Sequence, residues 1–395
     1  MEVLTMPWKE TRVMDQRQDF VIQSFDPRAN FKALCRKFGI STKTGYKWKE
    51  RFLALGTLGL HDQSKRPHRS GHQILEDAVC EIIRLKTAHS KWGPKKIRDL
   101  YSRMHEVEII PSLSTFNRIL EKAGLVTHKK RRKQSKAQRM QSPSPVLKPN
   151  DLWTVDFKGY WYTTLKERCE PLTVRDQFSK YILSLKTLPS SRTEDVQAEF
   201  ERLFKEHGLP KAIRSDNGPP FAHTRSLFGL SKLSVWWLSL GIKLDRIEPG
   251  KPYQNGAHER MHKDLKNELQ NTIPGDLKMH QAAFDIWREE YNCKRPHEGL
   301  NMKSPAAFYK RSEIPYDGNP VQIIYPFGFT ARSVTDRGTI TLFQNQVFIS
   351  NAFAYHQVGL KRLNSNTFEV WYDNLKLGFI DLSTFEFKAM ELTTI

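Results

Sequence analysis

The sequence predicts a multidomain chain: N-terminal all-α modules, a central α/β domain on a mixed sheet, and a small β-barrel at the C-terminal end. Three observations carry this. Apolar residues recur at helical spacing from Asp19 to about Gly124. Strand-like and helix-like runs then alternate over residues 151–312. Beyond residue 320, short β-rich runs are punctuated by Gly328, Gly338, Gly359 and Asn364–Asn366. The implied divisions are 1–62 and 73–126 (two helical domains), 127–150 (a basic linker), 151–312 and 320–395. A length of 395 residues suits such a division.

Charge separates the parts. The formal net charge is +20, and residues 1–150 hold 31 Lys and Arg against 14 Asp and Glu. A basic block joined to a near-neutral one suits one part that grips polyphosphate and another that does something else. No stretch approaches the roughly 20 apolar residues of a membrane helix. The first residues lack the basic-then-apolar order of a signal peptide. Cys35, Cys80, Cys169 and Cys293 are scattered and form no C-x-x-C pair, so neither a disulfide framework nor a zinc ribbon is expected. A reducing cytoplasm is the expected setting.

Helices are expected over Asp19–Phe25, Ala29–Phe38 and Thr42–Leu55, with Gly39-Ile40-Ser41 as turn and N-cap. That is a helix-turn-helix pattern. Its second helix would offer Thr42, Lys43, Thr44 and Lys47 to the major groove, while Trp48 and Phe52 pack inward. Residues 61–72 form a polar linker. Ile74–Ala88, Gly93–Met104 and a helix capped by Ser112 repeat the theme, with Ser114, Thr115, Asn117 and Arg118 as candidate DNA contacts. In the linker, Lys129, Lys130, Arg131 and Arg132 form a basic cluster suited to the DNA backbone.

The central domain reads as strands at Leu152–Tyr162, Leu172–Asp176 and Tyr181–Leu185, then a helix at Thr193–His207 and a strand at Ala212–Ser215. A helix at Leu227–Leu240, a strand at Ile242–Arg246 and helices at Gly256–Gln270 and Leu277–Asn292 complete it. This βββαβαβα order is the RNase H-like arrangement. The barrel strands are expected at Val321–Tyr325, Thr339–Leu342, Gln346–Ile349, Tyr355–Arg362, Phe368–Trp371 and Leu377–Ile380. Lys361, Arg362 and Trp371 would face nucleic acid, or the domain would serve packing or dimerisation.

Three carboxylates stand at telling places. Asp156 lies in a strand, on the face opposite Trp153, Val155 and Phe157. Asp216 ends a strand before Asn217 and Gly218. Glu259 lies in the first turn of a helix. On that helix Ala257, Met261 and Leu265 form one face, and Glu259, His262 or Lys263, and Lys266 the other. Singly each acid is weak evidence. Converging, they would repel one another unless cations sat between them, and hard oxygen donors suit Mg²⁺, with Mn²⁺ as substitute. Two ions per site, about 4 Å apart, would clamp the attacking and leaving oxygens of a phosphoryl displacement.

The strings LWTVDFKG, IRSDNGPPF and KPYQNGAHERMHKDLKNE, with ALCRKFGISTKTGYKW and WGPKKI upstream, resemble the DDE transposases of bacterial insertion sequences, whose catalytic core is like retroviral integrase. The resemblance implies that Asp156, Asp216 and Glu259 are the catalytic and metal-binding acids. It implies that Lys266 contacts DNA near the scissile phosphate, that Asn217 and Gly218 shape the active-site loop, and that Asn255 caps the glutamate helix. Two departures stand out. The 42-residue gap from Asp216 to Glu259 is longer than the family usually has. The paired His and Cys of the retroviral zinc domain are missing, which favours the bacterial branch. Glu248 and Glu268 rank below Glu259 as third acid.

The expectation is therefore a nucleoid-associated DNA transposase that binds the terminal inverted repeats of its element. It would cut at the ends and join the 3′-OH to target double-stranded DNA, as a homodimer or higher oligomer in a synaptic complex, with no membrane partner. A non-catalytic DNA-binding regulator and a nuclease that cuts without joining are the alternatives.

Overall fold

A computed structural model describes residues 12–63, 74–105, 110–126, 146–223, 226–248, 252–269, 273 and 275–390. The basic cluster Lys129–Arg132 falls outside them. Two compact units are present, 1–74 and 75–395.

The first unit holds α1 (Val13–Gln23), α2 (Phe31–Lys37) and α3 (Thr42–Leu55), closed by a 3-10 turn at Gly56–Leu60. Asn30 caps α2 and Ser41 caps α3, each side chain accepting from a backbone N–H three residues on. Gly39 takes φ +66°, which lets α2 stop and the chain turn. Phe20, Val21, Leu34, Cys35, Trp48 and Leu60 form the core. Helix α3 approaches α1 and α2 through Gly45, where a Cβ would stand 2.8 Å from both Cys35 Sγ and the Phe20 ring.

The second unit opens with α4 (Glu76–Ala88), α5 (Pro94–Met104) and α6 (Leu113–Lys122). They close around Ile82, Leu85, Ile97, Tyr101, Phe116 and Leu120. Pro94 starts α5 where its missing N–H costs nothing.

The sheet that follows contains β1 (Trp153–Phe157), β2 (Trp161–Tyr162), β3 (Arg168–Asp176), β4 (Ile182–Leu188), β5 (Ala212–Ser215) and β6 (Lys243–Arg246). Its main path runs β4-β3-β1-β5-β6, and the short β2 pairs with the start of β3. Strands β3 and β4 join as antiparallel neighbours, whereas β5 and β6 run parallel to β1. Helix α7 (Thr193–His207) makes the crossover from β4 to β5, and α8 (Lys232–Ser239) the one from β5 to β6. Trp153 and Val155 on β1 meet Phe200, Phe204 and Trp237 in one core. Helices α9 (Gly256–Leu269) and α10 (Leu277–Glu289) cover the other side, through Met261, Leu265, Phe284 and Trp287.

Several expected elements differ. The helix expected from Leu227 begins only at Lys232, because Gly229 turns at φ +65° and Ser231 supplies the N-cap. Helix α10 stops at Glu289 and continues as one wide turn over Glu290–Lys294. Val321–Tyr325 is not a strand: the Val321 N–H donates to Ser239 O at 2.6 Å, tying this stretch to the end of α8.

The C-terminal region holds β7 (Phe329–Ser333), β8 (Thr339–Leu342), β9 (Asn345–Phe348), β10 (Gln357–Asn364), β11 (Thr367–Tyr372), β12 (Leu375–Asp381) and β13 (Glu386–Ala389). The expected barrel does not close. Among the described residues the sheet is open, ordered β13-β12-β11-β10-β7, and β8-β9 form a separate hairpin. The physical reason is what covers the inner face: Leu230 and Val235, from α8 and the loop before it, are buried in the same core as Ile340, Val358, Val370 and Ile380. The sheet rests partly on the central domain rather than only on itself.

A prediction follows from the first unit. Gly45→Val forces a side chain onto Cys35 and Phe20, and overpacking of this kind costs about 1–3 kcal/mol. Urea denaturation followed by circular dichroism should show that loss; an unchanged midpoint would mean the helices can separate freely.

Candidate active site at the ends of the parallel strands

Strand register brings the first two acids together. Thr154 on β1 pairs with Arg214 on β5. Continued two residues past its last pair, that register leads to Asp156 and to Asp216, which directly follows β5, and Asp156 feels the charge of Asp216. Carboxyl ends of parallel strands are where open α/β sheets place their ligands. The backbone N–H of Gly218 donates to Asp216 Oδ1 at 3.2 Å. A Cβ on Gly218 would come within 3.3 Å of Asp216 Oδ2, so the glycine leaves the carboxylate room. Asn217 Nδ2 donates to Ile247 O at 2.8 Å, fastening the loop to the end of β6.

Beneath that loop lies a buried ion pair. Arg214 donates from Nε and Nη2 to the two oxygens of Asp245 on β6, at 3.1 and 2.8 Å. Its Nη1 reaches Gln254 O, in the turn that leads into α9. One guanidinium thus joins β5, β6 and the entry to the helix that carries Glu259.

On α9, Glu259, Lys263 and Lys266 are exposed, and His258, Met261, His262 and Leu265 are buried. His262, left open in the sequence, turns inward. Glu259 and Lys266 are two turns apart and share a face. Asn255 serves Asp156: its Nδ2 donates to Asp156 Oδ2 at 3.3 Å, and its Oδ1, expected to cap α9, meets His258 Nδ1 at 3.2 Å. Thr173 Oγ1 donates to Asp156 O at 2.9 Å and lies 2.8 Å from His262 Nε2. His262 Nδ1 stands 3.8 Å from Asp156 Oδ2. Burial, with Lys158 and Arg175 nearby, pushes His262 down to about 3, so this is a neutral ring beside a carboxyl rather than an ion pair. Burial also drives His258 well below the usual histidine range.

Asp156 is pushed up to about 7. Burial is the main cause, then the charge of Asp216, with Glu259 adding to it. Asp156 is therefore within electrostatic reach of both other acids. As they stand they are not a closed cage: among the described residues, no group of three or more His, Cys, Asp or Glu is close enough to hold an ion. The donor set still fits a hard divalent cation, because it offers only carboxylate oxygens that repel until a cation joins them.

Sequence reasoning missed Lys158. It directly follows β1, two residues past Asp156. Burial and the charge of Lys266 lower its pKa, while Asp156 raises it, so Lys158 is within electrostatic reach of both. The signal was present in the spacing Asp-x-Lys. Both rival acids are engaged elsewhere: Glu268 receives Trp287 Nε1 at 2.6 Å and Arg295 Nη1 at 3.2 Å, and Glu248 accepts from Gln254 Nε2 at 2.8 Å.

The other candidate residues belong to other elements. Thr42, Lys43 and Lys47 are exposed on α3, and Thr44 is half-buried against Ser41. Ser114 and Arg118 are exposed on α6, with Thr115 and Asn117 half-buried. The α4–α6 module is joined to the central domain by polar contacts. His89 Nδ1 lies 3.0 Å from Glu290 Oε1, Lys95 Nζ donates to Glu298 Oε2 at 3.2 Å, and Arg103 donates to Met302 O.

Two models described as integrase core domain match residues 147–252 and 240–305. One described as helix-turn-helix domain matches 16–68, and one described as homeodomain-like domain matches 44–120. Residues 147–305 thus match integrase cores, and residues 16–120 match helix-turn-helix and homeodomain-like domains. Among curated relatives, an uncharacterized 31.7 kDa protein of insertion element IS407 from Burkholderia multivorans is 26% identical over 260 residues, 65% of this chain and 88% of that one. The transposase for insertion sequence element IS904 from Lactococcus lactis is 31% identical over 169 residues, 41% of this chain and 62% of that one. A little under two thirds of that transposase is therefore matched. The HTLV-2 integrase catalytic core domain in complex with magnesium is 19% identical, with a TM-score of 0.33, covering 42% of this chain and all of that one. The chain is thus similar to an insertion-sequence transposase and to an insertion-element protein, and it carries matches to the integrase core.

Two predictions follow. Removing Arg214 strands a buried Asp245, so Arg214→Ala should cost about 3–5 kcal/mol in denaturant unfolding. The paired Arg214→Met, Asp245→Leu change should recover most of that loss, and failure to recover would mean the pair does more than balance charge. The second concerns pH. A carboxyl raised to about 7 in the fold, against 3.8 unfolded, imposes no penalty below about pH 4. The penalty grows as pH rises toward 7 and is full above it. In metal-free protein, Asp156→Asn should therefore melt higher than wild type at about pH 8 and equally at about pH 4. An equal difference at both pH values would overturn the assignment.

Proposed function

We propose that this protein is a DNA transposase that binds the terminal inverted repeats of its own insertion sequence, cuts at the ends, and joins the exposed 3′-OH to target DNA. The observation that carries the reading is the alignment of Asp156 with Asp216 across β1 and β5, with Glu259 within electrostatic reach, in an integrase core homologous to insertion-sequence transposases. Asp156, Asp216 and Glu259 would hold Mg²⁺ or Mn²⁺, and two such ions supply charge stabilisation for the attacking and leaving oxygens at phosphorus.

The remaining work falls to the chain's own groups. Asn255 orients the Asp156 carboxyl, and Thr173, paired with His262, holds the Asp156 backbone carbonyl. Lys158 and Lys266 neutralise phosphates on either side of the bond to be broken. Asn217 and Gly218 hold the loop that frames Asp216. Thr42, Lys43, Thr44 and Lys47 on α3, and Ser114, Thr115, Asn117 and Arg118 on α6, read the DNA ends, and Lys129, Lys130, Arg131 and Arg132 follow the backbone. Displacement at phosphorus needs no Ser or Tyr nucleophile, so no covalent protein–DNA intermediate forms. Joining two ends requires at least a dimer, and work on chromosomal DNA sets the protein in the bacterial cytoplasm, at the nucleoid.

Strand transfer tests the proposal. Labelled duplex carrying the DNA that borders the gene is mixed with protein, supercoiled target and Mg²⁺ or Mn²⁺. Joined product is expected with wild type, with Asp156→Asn and Glu259→Gln reduced at least about 10³-fold and Glu268→Gln retaining activity if folded. Specific binding without cutting or joining would favour a regulator; cutting without joining, a nuclease. In the same preparations Mg²⁺ should raise the melting temperature of wild type but not of Asp156→Asn, and no shift in either would leave the acids without their metal role.

A further inference from the structure

The outer face of the C-terminal sheet carries aromatic and basic side chains that the chemistry at the acids does not use. Strand alternation turns Val358, Leu360, Val370 and Ile380 into the core. On the opposite face the pairing sets Phe329, Lys361, Glu369, Phe379 and Lys388 in one row across five strands. The adjacent row is Ala331, Gly359, Trp371 and Lys376.

Gly359 makes room for a ring. A Cβ there would stand 2.4 Å from the ring of Tyr325, which lies across the sheet in its place. The Tyr325 hydroxyl is within hydrogen-bond distance of two sheet carbonyls, Gln357 O at 3.1 Å and Trp371 O at 3.2 Å, which fixes the ring. Tyr325 is stacked beside Phe329, and Phe329 meets Trp371 edge-on. All four aromatics, Phe379 included, are half-buried, so each keeps part of its ring open to solvent. Ammonium groups lie among them: Lys376 Nζ is 4.3 Å from the centre of the Phe379 ring, and Lys361 Nζ is 5.8 Å from that of Phe329. The acid in the row, Glu369, is buried and already bonded to Lys376 and to the Trp371 indole N–H. Lys361 and Lys388 are exposed. Asp381 and Glu386 are paired with each other at one end, beyond the two rows.

Rings fixed by a sheet, with lysines between them, match the two parts of a nucleotide at once, the flat base and the phosphate. A base within a duplex offers only its edges, so only an unpaired base can lie on these rings. We propose that this face binds single-stranded DNA, stacking unpaired bases on Tyr325, Phe329, Trp371 and Phe379, with Lys361 and Lys388 at the phosphates. The site uses none of the three acids, and only the choice of DNA over RNA rests on the function proposed above.

The test uses the full chain carrying Asp156→Asn, without metal, so that it runs independently of catalysis. Binding to labelled oligo-dT and to a duplex of the same length is followed by fluorescence anisotropy. Adding Trp371→Ala and Phe379→Ala should weaken oligo-dT binding about tenfold or more and leave duplex binding within about twofold. Lys361→Ala with Lys388→Ala, which keeps every ring, should weaken it less and flatten its salt dependence. Photo-crosslinking with 5-iodouracil-substituted strands should map to Tyr325, Phe329, Trp371 or Phe379. Unchanged oligo-dT binding by the ring variant, shown to be folded by circular dichroism, together with crosslinks only elsewhere, would overturn the proposal. Equal losses on duplex and single strand would do the same. Tighter binding of oligo-rU than oligo-dT would overturn the assignment to DNA.

Discussion

The parallel pairing of β1 with β5 is the constraint on which the site depends. It is a backbone register, fixed by Trp153 and Thr154 opposite Ile213 and Arg214, and slipping it by one residue would turn one carboxylate into the core. The core enforces it: Trp153, Val155 and Ile213 are buried with Phe200, Phe204 and Trp237, and cannot change faces without losing that packing. Held there, Asp156 and Asp216 repel, and the repulsion is part of why Asp156 is driven up to about 7. The fold thus stabilises an arrangement its own charges disfavour, a common mark of sites built for a cation.

Much of this was legible in the sequence, and the reasons are local. Helix α7 and strand β5 begin and end where their periodicity does, because Gly208 stops one and the Asp216-Asn-Gly loop the other. The N-cap serines at 41 and 112 mark α3 and α6 in the same way. What periodicity could not supply was partnership. Val321–Tyr325 has a strand's composition, yet its backbone is tied to α8 and its tyrosine to a neighbouring face. The C-terminal strands read as a barrel because alternation shows that one face is buried but not by what, and here α8 does part of the covering.

At the site, the three acids were visible from spacing and from their resemblance to a known family, while their support was not. Asn255, expected to cap a helix, is bonded to Asp156 and His258, two partners that spacing does not reveal. His262 could not be assigned to a face, since one step of 100° decides between core and solvent. Lys158 went unremarked because a lysine after a strand is ordinary until Lys266 is found beside it. Neighbours far apart in the chain are what sequence pattern carries least.

The joining of the α4–α6 module to the central domain has a consequence for scale. His89, Lys95 and Arg103 fasten that module to residues 290–302 of the chain, and the two belong to one compact unit. Under the proposed function, α6 as reader and the acids as cutter, held in one body, would act as a ruler. The bond broken would lie at a set count of base pairs from whatever α6 recognises, and inserting a base pair between them would move the cut with the recognised sequence instead of leaving it in place.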